Sequence, residues 1–206
     1  MARVTFYFDF GSPNAYFSHR VIPAIEARTG ARFDYAPVLL GGIFKATGNQ
    51  SPATAFAGIR NKLEYEGLET RRFIARHGIA GFRANPHFPV NTLRIMRGAV
   101  AAQDAGIFPA YVESVFADMW ERGRKMDEPE VIRAAWAEAG LPADRLWDLT
   151  ETPGVKARLI ANTEDAVAHG AFGSPTFLVD GADLYFGKDR LRDVEEALTG
   201  AAEIAR

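Results

Sequence analysis

FYFDFGSPNAYFS, residues 6–18, decides the fold. Four aromatic residues and one acid open it, and with Arg3, Val4 and Thr5 in front they read as a buried strand, RVTFYFDF. Gly11-Ser12-Pro13 then ends the strand and starts a helix. Ser12 supplies an N-cap oxygen, and Pro13 suits the first helical position, where a missing N–H costs nothing. A strand that turns sharply into a helix presents the residue at its turn to solvent or ligand. Here that residue is Ser12.

Working outward, the helix extends through AYFSHRVIPAIEARTG to Gly30, and Pro23 inside it predicts a kink. ARFDYAPVLL (31–40) reads as a second strand. Strand, helix and strand in this order predict a parallel pair joined by a right-handed crossover. From about residue 43 to 170 the signals are helical. RIMRGAVAAQDAG (94–106) and PAYVESVFADMWERG come first. PEVIRAAWAEAG follows, with Asp127 as its cap and Glu130 three positions on. LPADRLWDL is a short helix, and Thr152-Pro153 opens one that reaches Gly170. Strand character returns at 171. TFLVD and DLYFG flank Gly181-Ala182 as a hairpin. KDRLRDVEEALTG closes the chain as a helix with Leu191, Val194 and Leu198 on one face. Without the helical block the order is β-α-β-α-β-β-α. The expected class is therefore α/β: a thioredoxin-like fold with a large all-helical insertion. Residues 1–40 and 171–206, with the helix ending near 170, form the thioredoxin-like part; 41–170 form the insertion.

Composition bounds what such a fold can do. The 206 residues are 48% hydrophobic and 24% charged, which suits one core carrying an insertion. Net charge is −2 and no basic block occurs, so neither nucleic acid nor a membrane is an expected partner. There is no cysteine, which excludes disulfides, thiolate metal sites and a catalytic thiol of the chain's own, and no metal is expected. No apolar run approaches the roughly 20 residues that span a bilayer. The start of the chain lacks an export pattern and the final EIAR lacks a targeting one, so a reducing, cytoplasmic setting is expected.

Three segments together resemble one family. FDFGSPNAYF (8–17), GAFGSPTFLVDG (170–181) and YFGKDRL (185–191) resemble the DsbA-like branch in which serine replaces the active-site cysteine. That branch holds the kappa-class glutathione transferases and the 2-hydroxychromene-2-carboxylate isomerases. LLGGIFKATGN (39–49) and NPHFPVNTLRIMRG (85–98) resemble the isomerase side. Lys62, Tyr65 and Arg72 match a further pattern, from which Glu69 departs: the resemblance leads one to expect Asp there.

The resemblance implies that the missing thiol comes from glutathione. Its sulfur would lie beside Ser12, whose hydroxyl donates a hydrogen bond and is not itself a nucleophile. The helix start would favour thiolate over thiol. No Ser-His-acid set surrounds Ser12, and His19 lies two helical turns on. The plain alternative, a helix cap, is compatible with this role. By resemblance Pro175 is cis and exposes the N–H and C=O of Ser174 to the cysteinyl backbone; the plain alternative is a loop proline. Asp189 would pair with the γ-glutamyl amino group, and N–H groups of the helix start at Lys188 and Asp189 would hold its carboxylate. Asp189 is equally a natural N-cap. Lys45 would meet a carboxylate, either the glycyl end of glutathione or the substrate's, and Asn49 a substrate hydroxyl or oxo group. As lone residues both would be surface polars.

Tyr65, Asn85 and Asn91 are further substrate-side candidates, with Phe88 and Phe44 as apolar wall and His87 as a structural or surface histidine. The implied activity is glutathione-dependent cis-trans isomerisation between 2-hydroxychromene-2-carboxylate and trans-o-hydroxybenzylidenepyruvate in naphthalene-type catabolism. Ser12, Lys45 and Asn49 would be its catalytic residues. The implied partners are a small aromatic carboxylate substrate and a second copy of the chain. Two alternatives remain open: a kappa-class transferase that consumes the thiol, and a non-enzymatic DsbA-like module that binds extended peptides along the Pro175 edge.

Overall fold

Side chains alternate along the first strand, and that alternation sets the two faces of the sheet. The structure, a computed structural model, describes residues 3–200; Met1, Ala2 and residues 201–206, including the EIAR end, lie outside it. The chain opens with β1 (Arg3–Phe8), α1 (Pro13–Thr29) and β2 (Arg32–Pro37). The helical block holds α2 (Leu40–Thr47), α3 (Pro52–Ala55), α4 (Lys62–His77), α5 (Leu93–Asp104), α6 (Phe108–Trp120), α7 (Pro129–Glu138), α8 (Ala143–Leu149) and α9 (Pro153–Ala168). β3 (Thr176–Val179), β4 (Asp183–Phe186), a 3-10 turn (Lys188–Arg190) and α10 (Leu191–Leu198) follow. The sheet order is β2-β1-β3-β4, with β1 parallel to β2 and antiparallel to β3. This is the expected thioredoxin-like fold with its helical insertion.

Val4, Phe6 and Phe8 face a core shared with α1 and α10, while Tyr7 faces Val38, Ile43, Ala166 and Leu178 on the other side. The first core does not stop at the sheet. Phe8 meets Phe10 at 5.3 Å between centroids and Phe10 meets Phe116 at 4.7 Å, and the same apolar cluster continues to Ile95, Trp136 and Leu146. The insertion thus shares its core with the sheet, and no apolar boundary falls at residues 40 or 170.

Several local expectations change. The second strand ends at Pro37, not residue 40. Val38 still donates to the Phe8 carbonyl, but the Leu40 N–H turns to the Asp9 carboxylate and starts α2. Asp127 does not cap α7. Glu128 holds the N-cap position without a side-chain bond, because Asp127 Oδ2 instead accepts the Asn91 N–H at 3.3 Å. Asp189 is not an N-cap either, since it lies within the 3-10 turn and α10 begins two residues later. Pro23 lies inside α1, as the sequence placed it. In the hairpin, Asp180 and Gly181 both adopt positive φ, 47° and 74°, the backbone that Asp-Gly pairs favour in tight turns. Among the described residues no helix is long and apolar enough to cross a membrane.

Candidate functional site

At the C-terminal end of β1 the chain must stop pairing, turn and enter α1. Ser12 does the turning: it is extended (φ −94°, ψ 115°), and its Oγ accepts the Ala15 N–H at 3.2 Å as a true N-cap. The same hydroxyl donates to the Ser174 carbonyl at 2.8 Å. Ser12 and Ser174 come from opposite ends of the sequence, and β1–β3 pairing brings them together. The Ser174–Pro175 bond is cis, as the resemblance implied. Ser174 Oγ accepts the Asp9 N–H at 3.1 Å, and the Pro175 carbonyl accepts the Gly187 N–H at 2.9 Å. Those bonds fasten the loop to β1 on one side and to the 3-10 turn on the other.

Asp9 is the residue that the sequence reading missed. It is fully buried. Its Oδ1 accepts the Gly11 N–H at 2.8 Å, and its Oδ2 accepts the Leu40 N–H at 2.8 Å and the Thr92 hydroxyl at 3.1 Å. One carboxylate therefore joins the strand end, the start of α2 and the start of α5. Burial pushes its carboxyl above the usual carboxylate range, against the opposing pull of its three donors. Gly11 lies close beside it: a Cβ there would sit 3.1 Å from Thr92 Cγ2 and 3.3 Å from Asp9 Oδ1, so those side chains would have to give by a few tenths of an ångström. The signal was present in the sequence: a lone acid in an apolar strand, two residues before a glycine.

The other candidates divide. Asn49 Nδ2 donates to the Phe172 carbonyl at 2.7 Å, which brings it to the loop that carries Ser174. Phe172 and Phe186 flank that loop as a ring pair 4.4 Å apart, each about two-fifths exposed, and neither was singled out beforehand. Lys188 is buried, and its Nζ donates to Asp189 at 2.9 and 3.1 Å beneath the Phe73 ring. The Asp189 side chain stays about two-thirds exposed beside that bond. Lys45 is set apart: it lines a cavity between α2, α5 and α9 that none of Ser12, Ser174, Pro175, Lys188 or Asp189 lines.

Asn85 is corrected as a substrate contact. It is buried, its Nδ2 donates to the Met119 and Arg124 carbonyls at 2.9 Å each, and its Oδ1 accepts the His87 N–H. Its amide is fully used in holding the chain between α4 and α5. Asn91 Oδ1 accepts the Leu93 N–H at 3.1 Å, a local turn at the start of α5. Phe88 is 42% exposed beside Trp120 and precedes a second cis bond, to Pro89, which the sequence did not disclose. Tyr65 stands exposed on α4, where Lys62 pairs with Glu66 at 2.9 Å and Arg72 pairs with Glu69. His19 is engaged with the Tyr35 hydroxyl and Glu113, at 2.9 and 3.0 Å, and offers no base to Ser12. Among the described residues no group of three acidic or histidine side chains could hold a metal.

What remains is a hydroxyl at a helix start, a carbonyl 2.8 Å from it, and two exposed rings beside them. Residues 3–199 match the model of the DSBA-like thioredoxin domain. The chain is 26% identical over 196 residues to a 2-hydroxychromene-2-carboxylate isomerase of Sphingobium xenophagum, covering 95% of this chain and 97% of that one. It is 27% identical over 205 residues to glutathione S-transferase kappa 1 of Homo sapiens, covering 91% and 87%. A solved 2-hydroxychromene-2-carboxylate isomerase has the same fold, with a TM-score of 0.81 at 23% identity over 99% of this chain and all of that one.

Proposed function

We propose that this chain, which belongs to the DSBA-like thioredoxin family, is a glutathione-dependent cis-trans isomerase acting between 2-hydroxychromene-2-carboxylate and trans-o-hydroxybenzylidenepyruvate. The observation that carries the reading is Ser12. In a chain without cysteine, a hydroxyl sits at the N-terminus of α1, 2.8 Å from the Ser174 carbonyl. That donor set fits a thiol carried on a peptide backbone. The first turn of α1 favours a negative sulfur, and the Ser174 carbonyl can accept a backbone N–H.

The two functions are coupled through one hydrogen bond. Ser12 Oγ–H donates to Ser174 O. A cysteinyl N–H that pairs with Ser174 O takes over that acceptor and releases the hydroxyl to turn toward sulfur. Ser12 then stabilises the thiolate as a donor, and with His19 engaged elsewhere it is not activated as a nucleophile. The Lys188–Asp189 pair offers both signs of charge to the zwitterionic γ-glutamyl end. Asn49, which donates to the Phe172 carbonyl, would bond a substrate oxo group in this reading, with Phe172, Phe186 and Phe88 as apolar wall. When bound, glutathione would supply a thiolate that adds to a conjugated carbon of the ring-opened substrate, lets the former double bond turn, and leaves unconsumed. A cytoplasmic homodimer in aromatic catabolism is the setting that belongs to this proposal.

Ultraviolet absorbance of a chromene carboxylate mixed with the protein, with and without sub-stoichiometric glutathione, tests it. Conversion that requires glutathione without consuming it supports the isomerase. Relatives at the same identity carry the name glutathione S-transferase kappa 1, which favours one second reading, conjugation of an electrophile. Loss of free thiol in step with product would select that reading.

A further inference from the structure

The last turn of a helix leaves four carbonyls without partners inside the helix. At the end of α6 all four are taken. Ala117 O accepts the Glu121 and Arg122 N–H groups, and Asp118 O accepts the Arg124 N–H, each at 2.9 Å. The other two reach the chain between α4 and α5: Met119 O accepts Asn85 Nδ2 at 2.9 Å, and Trp120 O accepts the Arg83 N–H at 2.7 Å. Phe88 is tied to the same stretch, its N–H donating to the Asn85 carbonyl at 3.1 Å. Its ring stays exposed, 6.0 Å from that of Trp120.

The Trp120 side chain is buried and reaches the turn that carries Ser12. Its Nε1 donates to the Phe10 carbonyl at 2.7 Å. The Phe10 N–H donates to Met96 Sδ of α5 at 3.4 Å. β1 ends at Phe8, so both peptide groups of Phe10 are held by the helical insertion and not by the sheet. A buried carbonyl that loses its donor is costly, and the backbone shifts to find another.

We propose that Trp120 is a positioning residue for the Ser12 turn, with Met96 in support. Its indole N–H fixes the Phe10 carbonyl, and with it the place of the Ser12 hydroxyl two residues on, while its ring backs the exposed Phe88. One side chain thereby holds the thiol turn and the apolar wall in register. The proposal rests on the thiol reading of Ser12 and adds to it a residue 110 positions away from Phe10.

Two single substitutions separate the hydrogen bond from packing. Trp120→Phe keeps a ring and loses the N–H. Trp136→Phe is the control: Trp136 is buried in the same apolar cluster, and its Nε1 has no hydrogen-bond partner among the described residues. The same volume is then lost without a bond. Ultraviolet titration of bound glutathione reads the thiolate directly. In Trp120→Phe the thiolate fraction at neutral pH should fall about three-fold. Turnover of the chromene carboxylate should lose about ten-fold in kcat, with KM changed less than about two-fold. Trp136→Phe should match the wild type in both readings. Met96→Leu, which conserves volume, should move both in the direction of Trp120→Phe by about two-fold. Wild-type readings in Trp120→Phe, or equal losses in Trp120→Phe and Trp136→Phe, would overturn the proposal. Should Trp120→Phe not fold, wild-type readings in Met96→Leu would overturn it instead. A wild type that binds glutathione but converts no chromene carboxylate would remove the isomerase reading alone, and the titration would still decide the role of Trp120. A wild type that binds no glutathione would overturn both.

Discussion

The two ends of α2 follow opposite rules. At its start the Leu40 N–H closes on a fully buried carboxylate, and Asp9, Ser12 and Ser174 pass their hydrogen bonds to one another. Further along the helix Lys45 faces a cavity, with no acidic partner among the described residues. In the first region each of these side chains already has a partner, so a ligand there meets bonds already made. The second is unsatisfied, so a ligand needs only to arrive. Preorganisation and receptivity are thus set within a few residues of each other on one helix.

The largest effect should come from Asp9. Asp9→Ala strands the Gly11 N–H, the Leu40 N–H and the Thr92 hydroxyl, and should lower unfolding free energy by roughly 3–5 kcal/mol in denaturant titration. Because burial holds this carboxyl above its usual range, its contribution is fully present below the unfolded value near 4 and is lost as pH rises through the higher folded value. The gap between wild type and Asp9→Ala should therefore narrow as pH rises. A loss under about 1 kcal/mol would break the comparison, since the corner would not then be saturated.

Ser12→Ala separates function from structure in the same corner. With glutathione present, kcat/KM should fall about 100-fold, as for loss of one donor to a developing charge. Stability should fall by only about 1 kcal/mol, as for loss of an N-cap. Unchanged turnover with the expected loss of stability would reduce Ser12 to its capping role.

An exposed pair offers the opposite pH sign at smaller size. The hydrogen bond from His19, with the charge of Arg20, pulls the Glu113 carboxyl down to about 2. Its contribution is present above the unfolded value of about 4.5 and is lost as pH falls toward 2. Glu113 is more than half exposed, so solvent screening should keep the cost of Glu113→Gln at neutral pH below about 1 kcal/mol. A gap from wild type that widened on acidification would contradict the sign. Smallest of all, Ile160→Ser, in the cavity that Lys45 lines, should alter thermal stability by no more than about 0.5 kcal/mol. A loss several times larger would mean that the cavity is covered by packing, and its contrast with the Ser12 corner would collapse.

The readable part of the fold was the part with strong local chemistry. RVTFYF, Ser12-Pro13 and the hairpin turn each carry period, cap or backbone preference within a few residues, and each formed close to where expected, with β1 ending at Phe8 and the positive-φ pair falling at Asp180-Gly181, one residue before the expected Gly181-Ala182. Expectations failed where a distant partner outbid the local preference. Leu40 leaves its expected strand because Asp9 claims its N–H, and Asp127 leaves its expected cap because Asn91 donates to it. Asn85, expected on the substrate side, instead donates to two carbonyls from 34 and 39 residues away.

The sequence by itself determined the order of elements, the absence of a thiol, and a serine at the one turn where a helix start can stabilise an anion. Those properties reside in composition, spacing and local dihedral preference. Only the tertiary structure decided which polar groups were free. It joined Ser12 to Ser174 across 162 residues, paired Lys188 with Asp189, and left Lys45 facing a cavity. A side chain's donors and acceptors are the same in any fold, but whether they are already taken depends on what packing brings within about 3 Å of them.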